Sequence, residues 1–213
     1  MGQLKLPFES GWGGRREGAG RKPGGRRTVA HRTRPPHRAA HPVHVTLRAR
    51  AGLPPFRERA LGDAICAAIG AARRPIRVVC FSIQSNHLHL VVEARDAQAL
   101  ALGMQGLGVR LARAINGVLG ARGGVFRERY HARELRTPRE VRNALVYVLM
   151  NARKHGVRVA SGVDPFSSAP WFDGFAFSVA PAAQARPTAA PQTWLLRTGW
   201  RRLGLIRRHE RPS

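Results

Sequence analysis

The sequence predicts an α+β fold in which strands and helices follow one another along the chain. Short stretches of alternating apolar and polar residues, typical of half-buried strands, are interleaved with longer stretches whose apolar residues recur at helical spacing. Two of the strand-like stretches are separated only by a tight turn. The predicted order is β-α-β-β-α-β-α, which corresponds to a ferredoxin-like split β-α-β antiparallel sheet with one added C-terminal helix.

The first half of the predicted domain supplies three strands and one helix. Residues 41–50 alternate valines and a leucine with polar side chains, which predicts the first strand. Two prolines then precede a helix over residues 56–73. Residues 76–84 and 87–92 are predicted as the next two strands, and Ser85-Asn86 has the composition of a hairpin turn between them.

The second half supplies a long helix, a strand and the added helix. Apolar residues recur at helical spacing over residues 96–119, and residues 125–136 alternate as a fourth strand that carries a row of arginines. Thr137 then has the sequence context of a helix cap, with proline next and glutamate three residues later. The added helix is predicted to run to about His155, because Gly156 is a typical helix end.

The charge of the chain points to a polyanionic partner. The 213 residues carry a formal net charge of +25, and the hydrophobic content of 43% is enough for a folded core. Such a chain is expected to bind nucleic acid. No apolar run approaches the ~20 residues of a membrane-spanning helix, and the N-terminus lacks a signal peptide, so no membrane association is expected. Cys66 and Cys80 lack CxxC spacing and are expected to be buried thiols in a reducing cytoplasm.

Residues 1–40 are predicted to form a disordered basic arm. Glycine alternates there with arginine and lysine, a composition that cannot bury apolar area. Few acidic residues interrupt the cations, so the arm is expected to contact DNA phosphates. The residues assigned to this contact are Arg15, Arg16, Arg21, Lys22, Arg26 and Arg27.

Residues 157–213 are predicted to be an irregular C-terminal extension. Proline, alanine and serine dominate up to residue 192, and a short amphipathic element follows, with Trp194 and Trp200 among its apolar residues and several arginines between them. This closing element is expected to dock on the core, although contact with DNA is the alternative.

Two histidines in the third predicted strand are candidate metal ligands. Successive strand side chains point to opposite faces, so His87 and His89 share one face. Taken alone, such a pair more often consists of two half-buried, hydrogen-bonded side chains than of metal ligands. In the added helix, Tyr147 and Asn151 stand four residues apart and share a helix face. Two imidazoles and an amide oxygen are ligands that suit Mg²⁺ or Mn²⁺.

Tyr147 is then a candidate nucleophile. A phenol with a pKa of about 10 is only about a thousandth ionised at neutral pH. A metal ion that polarises a phosphodiester removes much of that handicap. Attack by the phenolate would produce a covalent phosphotyrosine, which stores the bond energy for a later joining step.

These residues resemble the single-tyrosine HUH transposases, in particular the REP-associated tyrosine transposases, bacterial relatives of the insertion-sequence enzymes. The resemblance covers residues 41–156 and is carried by His87-Leu88-His89, by Tyr147 with Asn151, and by the passage VFRERYHARELRTPREVRNALVYVLMNARKHG. It implies an endonuclease and strand transferase for single-stranded DNA, with both histidines and Asn151 as metal ligands. It also implies that Tyr147 forms a 5′-phosphotyrosine. Where many members have proline after the asparagine, this chain has Ala152.

The resemblance also implies the partners. Single-stranded or hairpin DNA, including palindromic repeats, is the expected substrate, and the arginines of the fourth strand are expected to contact it: Arg127, Arg129, Arg133 and Arg136. No nucleotide cofactor is expected, since the chain has no phosphate-cradling loop. The protein is expected to be a monomer or homodimer in the bacterial cytoplasm, associated with the nucleoid.

Two other functions account for part of the same sequence. A nucleic-acid-binding module without cleavage activity would explain the charge and the fold, but it would leave the histidine pair, Tyr147 and Asn151 as coincidence. A metal-dependent nuclease that uses water would explain the ligands and leave Tyr147 with a structural role. A covalent protein–DNA adduct distinguishes the three functions, because only the transposase forms one.

Overall fold

The structure is a computed structural model and describes residues 36–72, 75–151, 162–180 and 182–210. All six cations assigned to the basic arm lie outside these residues. Within the described part of the chain, no helix combines the length and the apolar character that crossing a membrane requires.

The described residues contain one antiparallel sheet of four strands. Its strands are Val43–Arg48 (β1), Ile76–Ile83 (β2), His87–Ala94 (β3) and His131–Glu134 (β4). Their order across the sheet is β2-β3-β1-β4, so β3 lies between β1 and β2 and pairs antiparallel with both. This is the split β-α-β arrangement, and it confirms the predicted fold class.

The central strand β3 is covered on both faces of the sheet. Leu88, Leu90 and Val92 point to one side, which we call the first face, and pack in a cluster with two helices. His87 and His89 alternate with them and therefore point to the opposite side, the second face. Because both faces are covered, the pairing register decides which side chains meet within each layer.

The first face is covered by helices α1 (Arg59–Gly70) and α2 (Ala97–Leu119). The Asp96 side chain caps α2 by accepting a hydrogen bond from the N–H of Ala99 at 2.7 Å. Gly103 lets α2 approach β2 closely, since a Cβ atom at this position would collide with the side chain of Ile76. The result is the larger of two apolar clusters, in which α2 and α1 bury their apolar sides against the sheet.

A bulge in β2 places two consecutive residues on the second face. Val78 pairs with Val92 and Cys80 pairs with Val91, so Val79 has no partner residue of its own in the ladder. Val79 and Cys80 are both buried in the second-face cluster, whereas Phe81 returns to the first face. The extra residue thus adds apolar area to the layer that supports the C-terminal part of the chain.

The second face is covered by helix α3 (Pro138–Leu149) and by C-terminal segments. Those segments contain a 3-10 helix (Ala169–Trp171), helix α4 (Trp194–Arg197) and a second 3-10 helix (Gly199–Leu203). The closing element docks through Leu195, Leu196, Trp200 and Ile206, which are buried against α3 and β2. The irregular C-terminal residues therefore complete the layer in which the histidines lie.

Polar contacts fix these C-terminal segments to the sheet and to α3. Arg142 of α3 donates to both carboxylate oxygens of Glu210 at 2.7 Å and also to the carbonyl of Gly204 at 3.0 Å. Arg57 makes a bidentate pair with the buried Asp164 at 2.8 and 2.9 Å. These pairs join residues that are far apart in the sequence.

The predicted fourth strand is shorter than expected. Ala49 forms a bridge with Phe126, and Thr46 pairs with His131. Between these two pairs the first segment advances three positions (46 to 49), whereas the segment that pairs with it advances five (126 to 131). The two surplus residues cannot fit the ladder, and the chain leaves it before returning at β4. The predicted strand over residues 125–136 is therefore wrong for its first half.

The predicted helix bounds also need correction. The first helix begins at Arg59 rather than residue 56, because Glu58 is still extended at φ −64° and ψ 138°. Helix α3 is interrupted after Leu149, since Met150 leaves helical geometry at φ −107° and ψ 8°, and Asn151 is helical again. The predicted continuation to about residue 155 falls on residues 152–161, which lie outside the described part of the chain.

Residues 36–41 are held at the β4 edge of the sheet by Glu134. This carboxylate accepts hydrogen bonds from the N–H of Arg38 at 2.9 Å and from the His37 ring at 3.0 Å. Burial raises the pKa of Glu134, but the bonds from Arg38, Arg136, His37 and His41 outweigh it and lower the pKa to about 2. Glu134 is therefore ionised throughout the neutral range and serves as an anchor.

Candidate active site

Two imidazole nitrogens converge on the second face of the sheet. His87 and His89 of β3 point to this face, and their Nε2 atoms lie 3.0 Å apart. The rings meet edge to face with centroids 4.6 Å apart. The β1–β3 register places Arg48 opposite His87 and Thr46 opposite His89, so β1 supplies the neighbours of the pair.

Each imidazole is held through its other nitrogen. The Nδ1 of His87 lies 2.8 Å from Asn86 Oδ1, an atom that only accepts, so this nitrogen carries the proton. The Nδ1 of His89 lies 3.2 Å from the hydroxyl of Thr46 and 3.3 Å from Nε2 of His44, and both can accept. These contacts orient both rings so that the two Nε2 atoms lie within hydrogen-bond distance of each other.

His44 was missed by the sequence analysis. It lies at a second-face position of β1, and its ring contacts both His89 and Tyr147. Burial, assisted by the nearby charge of Arg133, lowers the pKa of His44 to about 4. His44 is thus neutral at pH 7, and its Nε2 can accept a hydrogen bond from Nδ1 of His89. The alternation of β1 already put His44 and Thr46 on one face, but only the register shows that this face meets His89.

Helix α3 brings Tyr147 to the histidines. The helix begins with the predicted capping box, in which Thr137 and Glu140 bond to each other's backbone N–H groups. Its apolar side is buried in the second-face cluster, and Tyr147 lies at the margin of that side, half-buried. The Tyr147 ring is 4.9 Å from the ring of His89 and 5.7 Å from that of His44, measured between centroids.

Asn151 is buried close to the end of the same helix. Only 1% of its surface is exposed, and neither its amide oxygen nor its amide nitrogen has a hydrogen-bond partner among the described residues. A buried amide without partners is costly, so it is expected to bond to a group beyond the described residues. Met150 interrupts α3 between Tyr147 and Asn151, and the assumption that both residues share one regular helix is therefore wrong.

The donor atoms at this site fit a small divalent cation. Two ligand nitrogens at right angles on one ion, each at about 2.1 Å, lie about 3.0 Å from each other, which is the spacing of the two Nε2 atoms. Among the described residues, no group of three His, Cys, Asp or Glu side chains is placed to hold a metal ion. The amide oxygen of Asn151 is a ligand of a type outside that set.

The chain resembles a solved structure of a REP-associated tyrosine transposase bound to a REP hairpin, with a TM-score of 0.50 over 66% of this chain and 82% of the other. The two chains share a fold. Their sequences are 17% identical, so the roles of the site residues rest on the geometry of this chain. No family model matches the sequence, and no curated protein matches it either.

The arginines predicted on the fourth strand have different positions. Arg133 lies on β4 opposite His44 and points to the second face, where its charge acts on that histidine. Arg136 follows the strand and bonds to Glu134 at 3.2 Å. Arg127 and Arg129 lie in the segment that leaves the ladder, so the four do not form the single row that a continuous strand would give. Of the four, Arg133 is the one that the sheet brings beside the histidines.

Proposed function

We propose that the chain nicks and joins DNA through a covalent 5′-phosphotyrosine at Tyr147, and that its substrate is single-stranded or hairpin DNA. The observation that carries the proposal is the contact of the Tyr147 ring with His89 beside the convergent Nε2 pair. The fold shared with a REP-associated tyrosine transposase supports the same reaction class, and the net charge of +25 supports DNA as the partner.

In this proposal His87, His89 and Asn151 hold Mg²⁺ or Mn²⁺. When bound, the ion would polarise the scissile phosphodiester and neutralise the charge that develops on it. The protein residues do the rest. Thr46 and His44 fix the ring of His89, and Asn86 fixes that of His87, so that both Nε2 atoms stay directed at the site.

Tyr147 then acts as the nucleophile. The bond from its phenolic oxygen to phosphorus forms as the bond from phosphorus to the 3′ oxygen breaks. The phenolic proton passes to solvent, and the departing 3′ oxygen takes up a proton to leave a free 3′-hydroxyl. Helix α3 contributes by placement, since a correctly held nucleophile gains several kcal/mol from orientation. The reverse attack by a 3′-hydroxyl rejoins the strand and restores the tyrosine.

The two tyrosines of the chain provide a matched test. Tyr130 packs with the first-face cluster, on the other side of the sheet from the histidines, whereas Tyr147 packs with the second-face cluster. We expect wild-type protein, labelled hairpin DNA and Mn²⁺ to give a covalent adduct on a denaturing gel. Tyr147→Phe should remove the adduct and keep DNA binding, and Tyr130→Phe should retain it.

The same gel separates the competing functions. Cleavage without any adduct in the wild-type protein would mean that water is the nucleophile. Binding without cleavage would mean that the fold serves as a nucleic-acid-binding module. An adduct that survives Tyr147→Phe and is lost in Tyr130→Phe would reverse the assignment of the nucleophile.

A further inference from the structure

A cavity lies on the second face of the sheet, away from the histidines. It has a volume of about 330 Å³ and is formed between β2, α3 and the C-terminal segments. We call it the C-terminal pocket and define it by Phe172, Asp173, Arg186, Arg197, Trp200 and Arg201. Its volume is at the lower end of the range for small-ligand sites, about 300–1,000 Å³.

The C-terminal pocket and the histidine site lie on opposite sides of α3. Leu145 lines the pocket, whereas Tyr147 faces the histidines. Two residues correspond to about 200° around a helix, so these side chains point in nearly opposite directions. A ligand in the pocket therefore does not touch the residues of the proposed reaction, but a DNA strand that crosses α3 could reach both the pocket and the histidine site.

The rim of the pocket has an excess of positive charge. Arg201 pairs with Asp173 at 2.7 Å. Among the described residues, Arg186 and Arg197 have no carboxylate partner, and Arg186 is oriented by a hydrogen bond from its Nε to the hydroxyl of Thr188 at 3.0 Å. Two guanidinium groups without ion pairs at the mouth of one cavity are suited to a phosphate.

The floor of the pocket is apolar and aromatic. Trp200 is only 1% exposed, because its ring packs against Phe172, 5.6 Å away between centroids, and against the guanidinium of Arg201, 4.9 Å from the ring centroid. The aromatic surface open to a ligand is therefore that of the half-buried Phe172. Cys80 also lines the pocket, and burial raises the pKa of its thiol to about 12. A phosphate at the rim and an aromatic floor together match one nucleotide.

We infer that the C-terminal pocket binds one unpaired nucleotide of the DNA strand, with its phosphate between Arg186 and Arg197 and its base against the aromatic floor. The identity of the ligand as DNA rests on the proposed function. The placement implies that the strand crosses α3, so that the pocket fixes a nucleotide at a distance from the cleavage point. The bases of paired DNA are not free to enter such a cavity, and this favours single strands.

The test measures the affinity of the full chain for a fluorescent, unstructured oligothymidylate by anisotropy at several salt concentrations. The variant Arg186→Ala/Arg197→Ala is compared with Arg113→Ala/Arg122→Ala, which removes the same charge from α2 and the loop after it. The pocket variant should bind about tenfold more weakly, and the slope of log K against log salt should fall by about 0.7 for the one single-strand phosphate. Equal losses in the two variants would overturn the inference.

A second variant tests the base without changing the charge. Ala190 is exposed and lines the pocket, so Ala190→Phe should fill it. Wild-type protein should bind oligothymidylate more tightly than an abasic oligonucleotide of the same length, and Ala190→Phe should remove that preference. If wild-type protein shows no preference for the base, or if the preference survives Ala190→Phe, the floor does not hold a base. Competition with thymidine monophosphate shows whether the pocket binds a nucleotide of a DNA strand or a free nucleotide. If micromolar thymidine monophosphate displaces the oligothymidylate, the pocket does not require a DNA strand.

These readouts are independent of the reaction. If wild-type protein forms no adduct but the pocket variant still binds DNA more weakly than its control, the proposed nuclease activity is refuted and the inference about the pocket stands. If wild-type protein forms the adduct but the pocket variant binds DNA as tightly as its control, only the inference about the pocket is refuted.

Discussion

Replacing Thr46 by valine should weaken the metal dependence of the proposed reaction while leaving the fold intact. Thr46 lies on β1 opposite His89, and its hydroxyl is 3.2 Å from His89 Nδ1. Valine has nearly the same shape and favours a strand, so the sheet should be unaffected. The change removes one of the two groups that keep His89 Nε2 directed at the site.

The size of the effect can be bounded. A net hydrogen bond between neutral groups contributes about 0.5–1.5 kcal/mol, and removing the partner of a ligand histidine typically costs about 10–100-fold in metal affinity. His44 remains 3.3 Å from the same nitrogen and preserves part of the orientation. We therefore expect Thr46→Val to raise the Mn²⁺ concentration for half-maximal adduct formation by about tenfold.

The assay titrates Mn²⁺ against adduct yield, with DNA affinity and melting temperature measured in parallel. Thr46→Ser is the matched control, because it retains the hydroxyl and should stay close to the wild-type midpoint. If Thr46→Val and Thr46→Ser have the same Mn²⁺ midpoint as wild-type protein, Thr46 does not orient a metal ligand.

Three further outcomes are expected. His89→Ala should abolish adduct formation with little change in DNA affinity, as EDTA should in the wild-type protein, and a fully active variant would disprove the ligand assignment. Deleting residues 1–35 should lower the salt dependence of binding, and an unchanged slope would show that the arm does not contact DNA. Glu134 has a pKa of about 2 when folded, below its ordinary value of 4.5, so its stabilising contribution is present above about pH 4.5 and is lost as the pH falls toward 2. Glu134→Gln should therefore be destabilised by about 1–2 kcal/mol at pH 7 and match wild-type protein near pH 2, as measured by denaturation at both pH values.

Local periodicity was sufficient for the parts of the fold that depend on neighbouring residues. The alternation of β3 correctly put His87 and His89 on one face, and the capping box at Thr137 correctly marked the start of α3. The hairpin between β2 and β3 was likewise predicted from its turn residues. In each case the signal lies within a few residues of the feature it predicts.

Features that depend on pairing between distant residues were not predictable in this way. His44 and Thr46 belong to the site only because β1 and β3 pair in one particular register, about 45 residues apart in the chain. The break in the fourth strand follows from a mismatch with the spacing of β1, which no local pattern records. Helix α3 is interrupted at Met150 although its sequence continues to favour a helix. The C-terminal pocket needs the docked closing element and could not be foreseen either.

The anchoring of α3 by the last part of the chain has a consequence for synthesis. A ribosome makes the helix that carries Tyr147 well before it makes Trp200, Gly204 and Glu210, which bury one side of that helix and pair with Arg142. The first-face core is complete by Val125 and can form earlier. A chain whose translation stops before residue 194 would keep that core but lack the support of α3. Premature termination would then yield a protein in which Tyr147 lacks part of the packing that holds it against the histidines, so the proposed cleavage would depend on translation of the docked segment.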